Sequence, residues 1–223
     1  MSGSKFELTT KFSLPKFLSV RRSLCGKREK LVNDIGQGSL LGLCLEELPR
    51  DLVIWIVRHF NPRKNTVEFP DGSSFRLNSM CTHKVLGVPI GGRLIPNRCS
   101  EEFRVAIREK TKCAGQLPSI NELIEILKTD LDDADFQMYW MMFNITVFLC
   151  PTTYECVSPE YLSALEGPTE EIASYDWSSV VFWKLSKCVE TFINNGFSGA
   201  LGGCLLVPLV SSFELDTWSS SYS

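Results

Sequence analysis

The stretch Phe136 to Leu149, FQMYWMMFNITVFL, limits the fold more than any other part of the chain. It is apolar around most of a helical circumference, so as a helix it has no solvent side and must be wrapped by other elements. Its fourteen residues fall short of the roughly 20 needed to span a bilayer. A central core helix is therefore expected. The acidic run Asp130-Leu131-Asp132-Asp133-Ala134-Asp135 precedes it and Pro151 closes it. Carboxylates are favoured at a helix N-terminus, so Asp132, Asp133 and Asp135 read as capping groups. The run lacks the glycine and closing glutamate of a calcium loop. Asn144-Ile145-Thr146 has the form of a glycosylation sequon, but a buried helix without a signal peptide argues against its use.

Around this helix the pattern predicts a mainly α, compact multi-helix domain with one small β-hairpin near residues 66–77. Val67 and Phe69 alternate with Thr66 and Glu68, Pro70-Asp71-Gly72 turns the chain, and Phe75 and Leu77 resume the alternation. Asn78 is placed to cap a short helix carrying Met80, His83, Val85 and Leu86 on one side, with Gly87 and Pro89 ending it. Leu52, Trp55, Ile56 and Phe60 follow Pro49 at helical spacing, with His59 beside that stripe. Glu101 to Lys112 reads as a charged helix that can bury Phe103, Val105 and Ile107. Ser119 with Glu122 forms a capping box for a helix whose inner face is Ile120, Leu123, Ile124 and Leu127. Asp176 caps a long helix through Asn194 or Asn195, striped by Val181, Leu185, Cys188, Val189 and Phe192. Gly199 to Val210 reads as a helix packed closely on a neighbour.

The net charge of −3 names no partner, but its distribution is uneven. Residues 1–30 hold eight basic and two acidic side chains, a net of +6, which leaves −9 for the remainder. Scarce acids, many serines and Pro15 make 1–30 read as a basic, disordered arm. Residues 31–210 form the helical domain, and the Ser-rich 211–223 a tail. Lys16, Arg21, Arg22, Lys27, Arg28 and Lys30 are the candidate nucleic-acid contacts of that arm. The nine cysteines are spread almost evenly, without a single Cys-x-x-Cys. Cys81 with His83 is the nearest approach to a ligand pair, and no second pair stands at zinc-finger distance. An odd count without a signal peptide favours reduced thiols, hence a nuclear or cytoplasmic protein that is not secreted and has no membrane span.

The remaining signals are glycines: Gly36, Gly38, Gly87, Gly91, Gly92, Gly202 and Gly203, together with Pro89. GVPIGGR lacks the Lys-Ser/Thr of a P-loop and the spacing of a dinucleotide fingerprint, so these residues read as structural. They belong to an ordered series: Gly36-x-Gly38-x-Leu40-Leu41, Leu48-Pro49 with Trp55, Val85-Leu86-Gly87-Val88-Pro89-Ile90-Gly91-Gly92, Phe148-Leu149-Cys150-Pro151, Ser158-Pro159-x-Tyr161-Leu162, Asp176-Trp177 and Gly202-Gly203-Cys204-Leu205. That series, over residues 31 to 207, resembles the grass-plant family of transposon-derived proteins related to the plant mobile domain. Members carry the label "aminotransferase-like", and in longer relatives a similar helical region precedes a SUMO-protease-like domain. The resemblance implies a nuclear association and a nuclear protein partner. Relatives continue where this chain stops, so a lone N-terminal module or truncated product is expected.

No catalytic, cofactor-binding or metal-binding residues are assigned. A His, Asp, Cys protease arrangement with an oxyanion-hole glutamine shortly before a cysteine does not appear, Cys25-Gly26 precedes both histidines, and nothing marks a pyridoxal-phosphate lysine. Three readings follow: a non-catalytic, transposon-derived helical scaffold or interaction module; a nucleic-acid-associated domain acting through the arm; and a degenerate enzyme, cysteine-protease-associated or aminotransferase-like.

Overall fold

A computed structural model describes residues 9–113, 116–152 and 156–219. The fold is mainly α. In chain order, β1 (Thr9–Thr10) leads into α1 (Leu14–Arg21) and α2 (Lys27–Asp34), and a 3-10 turn at Gly38–Gly42 precedes α3 (Arg50–His59). Three short strands follow, β2 (Phe60–Asn61), β3 (Thr66–Glu68) and β4 (Ser74–Arg76), and then α4 (Ser79–Leu86), α5 (Glu101–Thr111), α6 (Ile120–Lys128) and α7 (Asp133–Asn144). Two 3-10 segments, Pro159–Leu165 and Thr169–Ser174, lead to α8 (Trp177–Asn194), β5 (Ala200–Leu201) and α9 (Leu206–Ser219).

The expected core helix is α7. Asp132 caps it by accepting from Asp135 N–H at 2.8 Å, and it runs on as a π-helical turn, Ile145–Leu149. Every residue from Phe136 to Pro151 is buried. Its neighbours are α2, α6 and, at the π turn, α1. The sequon Asn144 is 0% exposed, where its side-chain amide donates to Gln37 Oε1 at 3.0 Å.

Other local signals produce the elements they predict. The hairpin pairs Val67 with Phe75, and β2 adds a third antiparallel strand that the pattern did not show. Asn78 accepts from Cys81 N–H and Gly87 ends α4 at φ 65°. The Ser119–Glu122 capping box is complete. Asp176 Oδ1 accepts from Ser179 N–H at 3.0 Å to start α8.

Four expectations need correction. The basic arm is ordered from residue 9 and enters the core from Phe12 onward: Phe12, Leu14, Phe17, Leu18 and Val20 are buried, and Phe17 stacks on Phe148 with ring centroids 4.3 Å apart. Its apolar residues recur every three or four positions and outweigh the charges between them; residues 1–8 lie outside the described chain. Second, Gly199 to Val210 is not one helix. Ala200–Leu201 pairs in parallel with Thr9–Thr10, Gly202-Gly203 turns, and the helix starts only at Leu206. It then continues through the expected tail to Ser219, and 220–223 lie outside the described residues. Third, Met80 is 49% exposed, because α4 turns Thr82 and Leu86 inward. Finally, Val105 is also exposed on α5, where Ile107 alone is buried.

Candidate functional site

The motif glycines gather where three connecting loops cross. Gly36 has φ 75°, and a Cβ on it would meet Pro89 Cγ at 2.7 Å. One on Gly38 would strike Asn33, one on Gly87 would strike Ser39, and one on Gly92 would fall on the Ser174 carbonyl. Gly91 sits beside them at φ 73° with open space. Hydrogen bonds fix this crossing: Arg93 N–H donates to Ser174 O at 2.7 Å, Asp176 N–H to Arg93 O at 2.9 Å and Ser178 N–H to Pro89 O at 2.9 Å. Val88 O accepts from both Ser178 Oγ–H at 2.9 Å and His83 Nδ1–H at 2.7 Å. Gly202 and Gly203 serve a separate crossing, against Pro151 O and Leu185 Cα. Apart from Gly91, whose role is the left-handed turn, these glycines let chain segments pass close to one another.

The histidines are tied to backbone. His83 is held by Val88 O, away from any partnership with Cys81, whose Sγ lies 3.6 Å from Arg76 O. His59 donates to Trp55 O at 2.7 Å and stacks on the Trp55 ring at 4.1 Å. Among the described residues no three His, Cys, Asp or Glu side chains form a group that could hold a metal. All nine cysteines are free thiols. Burial raises the pKa of Cys150 well above its ordinary value and pushes Cys204 up to about 12.

The six arm cations do not share one free surface. Arg21 donates to Leu41 O, Arg22 pairs with Glu46 at 2.8 Å and Lys27 with Asp133 at 2.5 Å. Arg28 donates to Leu127 O and Thr129 O at 2.7 and 2.6 Å, and lies 5.1 Å from the Phe136 ring centre. Lys16 and Lys30 stay exposed.

One polar convergence was missed by sequence reasoning. A cleft of about 420 Å³ runs between α8, the Ser158–Glu160 turn and the segment from Ser198 to Gly202. The α8 wall is Lys184, Lys187, Cys188, Thr191 and Asn195, the helical face beside the buried Val181, Leu185 and Val189 stripe. Lys184, with 11% of its side chain exposed, meets Glu160 Oε2 at 2.5 Å and stands 5.8 Å from the Tyr161 ring centre. Tyr161 Oη–H donates to Glu160 Oε1 at 3.1 Å. Burial, then Cys150 and Glu160, raise the Tyr161 pKa; burial also raises that of Cys188 against the pull of Lys184. Both groups are held neutral. The signal was the polar spacing 184, 187, 188, 191, 195 on α8, but Cys188 reads equally well as part of the apolar stripe. Glu160 is 24 residues from Lys184, so nothing local links the two.

These features define a helical domain with crossed-loop junctions and a polar cleft beside α8. A family model described as a domain of unknown function (DUF8566) matches residues 10–209, and the chain belongs to that family. No curated protein matches it, and no solved structure does. No described helix is long and apolar enough to cross a membrane.

Proposed function

We propose that this chain is a non-catalytic, transposon-derived helical interaction module of the plant mobile domain type, working with a protein partner in the nucleus. The observation that supports it best is where the chemically capable side chains go. His59 and His83 each hold a backbone carbonyl at 2.7 Å, the deepest thiols are kept protonated by burial, and the motif glycines serve main-chain crossings. What the motifs specify is a shape. The ordered series that resembles the plant mobile domain family supports the class and the nuclear setting. Trp183, 67% exposed on α8, is the kind of aromatic anchor that dominates protein interfaces.

The test pairs capture with reactivity. The intact chain should retain a defined protein from plant nuclear extract, and Trp183→Ser should lose it. A thiol-directed activity probe should label no cysteine selectively. Selective labelling of one cysteine, or turnover of a substrate by the purified chain, would overturn the reading.

A further inference from the structure

We infer that the cleft beside α8 binds a small organic anion: a carboxylate or phosphate group attached to a compact apolar body. This goes beyond the interaction-module reading and does not depend on it.

The cleft volume of about 420 Å³ is in the range of small-ligand pockets. Among the described residues that line it, the one carboxylate is already committed. Glu160 accepts from Tyr161 Oη–H on one oxygen and from Lys184 on the other. The Lys184 ammonium has three donors, one of which goes to Glu160, so it keeps hydrogen-bonding capacity beside the cavity it lines. Lys187 stands one turn along the same wall, which leaves two cations against one carboxylate. The thiol of Cys188 is neutral and adds no negative charge.

A second cavity of about 350 Å³ shares Ser158 and Glu160 with the first and brings Arg98 and Arg104 to its walls. Arg104 pairs through Nη2 with Glu101, and its buried Nε has no acceptor among the described residues. Lys184 and Lys187 on one side of Glu160 and Arg98 on the other place cations around it, which favours an anion over a neutral or cationic guest. Phe192 and Ala200 supply the apolar part of the wall, and the missing side chain at Gly202, where a Cβ would approach Cys188 Sγ at 3.0 Å, leaves the floor open. Charge at one end and apolar surface at the other select a ligand with the same polarity.

The test titrates the intact chain with benzoate, phenyl phosphate, inorganic phosphate and the neutral benzyl alcohol, and follows maleimide labelling of Cys188 beside the calorimetry. At least one aryl anion should bind about tenfold more tightly than benzyl alcohol, the loss expected without a charge-assisted hydrogen bond. The same ligand should slow Cys188 labelling and outcompete inorganic phosphate. Preference for benzoate identifies the anion as carboxylate, and preference for phenyl phosphate identifies it as phosphate. Lys187→Gln should weaken binding about tenfold. Thr191→Phe, at an exposed position, should abolish it by filling the cleft while leaving the circular dichroism unchanged. Equal affinity for benzyl alcohol or inorganic phosphate, failure of every anion at about 10 mM, or indifference to both variants would overturn the inference.

Discussion

At Gly91 and Gly92 two adjacent residues of one type are required for opposite reasons. Gly91 has φ 73° and nothing near its missing side chain; Gly92 has no such backbone demand, but its Cα faces the Ser174 carbonyl. Alanine at 91 costs only the left-handed conformation, roughly 1–2 kcal/mol. Alanine at 92 must push apart two chains that Arg93 and Ser174 lock with a 2.7 Å hydrogen bond, an overpacking cost of about 3 kcal/mol. Gly92→Ala should therefore lower the urea midpoint clearly more than Gly91→Ala. Equal midpoints would show that the junction yields. From sequence the pair was legible only as a turn, because the atom that forbids a side chain at 92 belongs to a loop some 80 residues away.

Among the elements, α1 shows how charge can mislead. Its cations suggest a solvated arm, yet Ser13 caps it, Pro15 fits its first turn and Leu14, Phe17 and Leu18 form a buried face. Phe17 is 0% exposed between Phe148 and Trp140. Phe17→Ala should cost about 3–5 kcal/mol, measured by denaturant unfolding, whereas a loosely attached arm would give a negligible change. Deleting residues 1–30 to test nucleic-acid binding would thus remove core. Lys16→Gln with Lys30→Gln, both exposed, is the variant that leaves the fold intact, and with Arg22 and Lys27 paired to carboxylates and Arg21 and Arg28 tied to backbone carbonyls it should leave the salt dependence of any binding unchanged. Caps, the hairpin and α7 were legible because their rules act within a few residues. The docking of α1 and the cleft were not, since Phe17 and Phe148, or Glu160 and Lys184, meet only through the tertiary fold.

Over the whole molecule the first described strand is joined to a strand just before the last helix. Thr9–Thr10 pairs with Ala200–Leu201, and Ser13 N–H donates to Val147 O at 3.1 Å. The strand that closes the domain therefore lies next to both the core helix and Cys204, which is 0% exposed. Cys150, 1% exposed, lies close by, where Gly203 N–H donates to Pro151 O at 3.1 Å. Neither thiol can meet solvent unless the closure opens, while Cys25 and Cys44 are exposed. A disulfide reagent should modify Cys25 and Cys44 at once and reach Cys150 and Cys204 only at the rate of unfolding, accelerating together with denaturant. The same burial gives stability a pH signature. A thiol at 9.0 when unfolded and about 12 when folded binds its proton more tightly in the native state. Its contribution is complete below pH 9.0 and declines by about 1.4 kcal/mol per unit as pH rises toward the folded value. The unfolding midpoint should fall above pH 9, and Cys204→Ala, although less stable at neutral pH, should show a shallower fall. A parallel decline in both proteins, or early labelling of Cys204 in native buffer, would mean that the β1–β5 closure opens independently of the core.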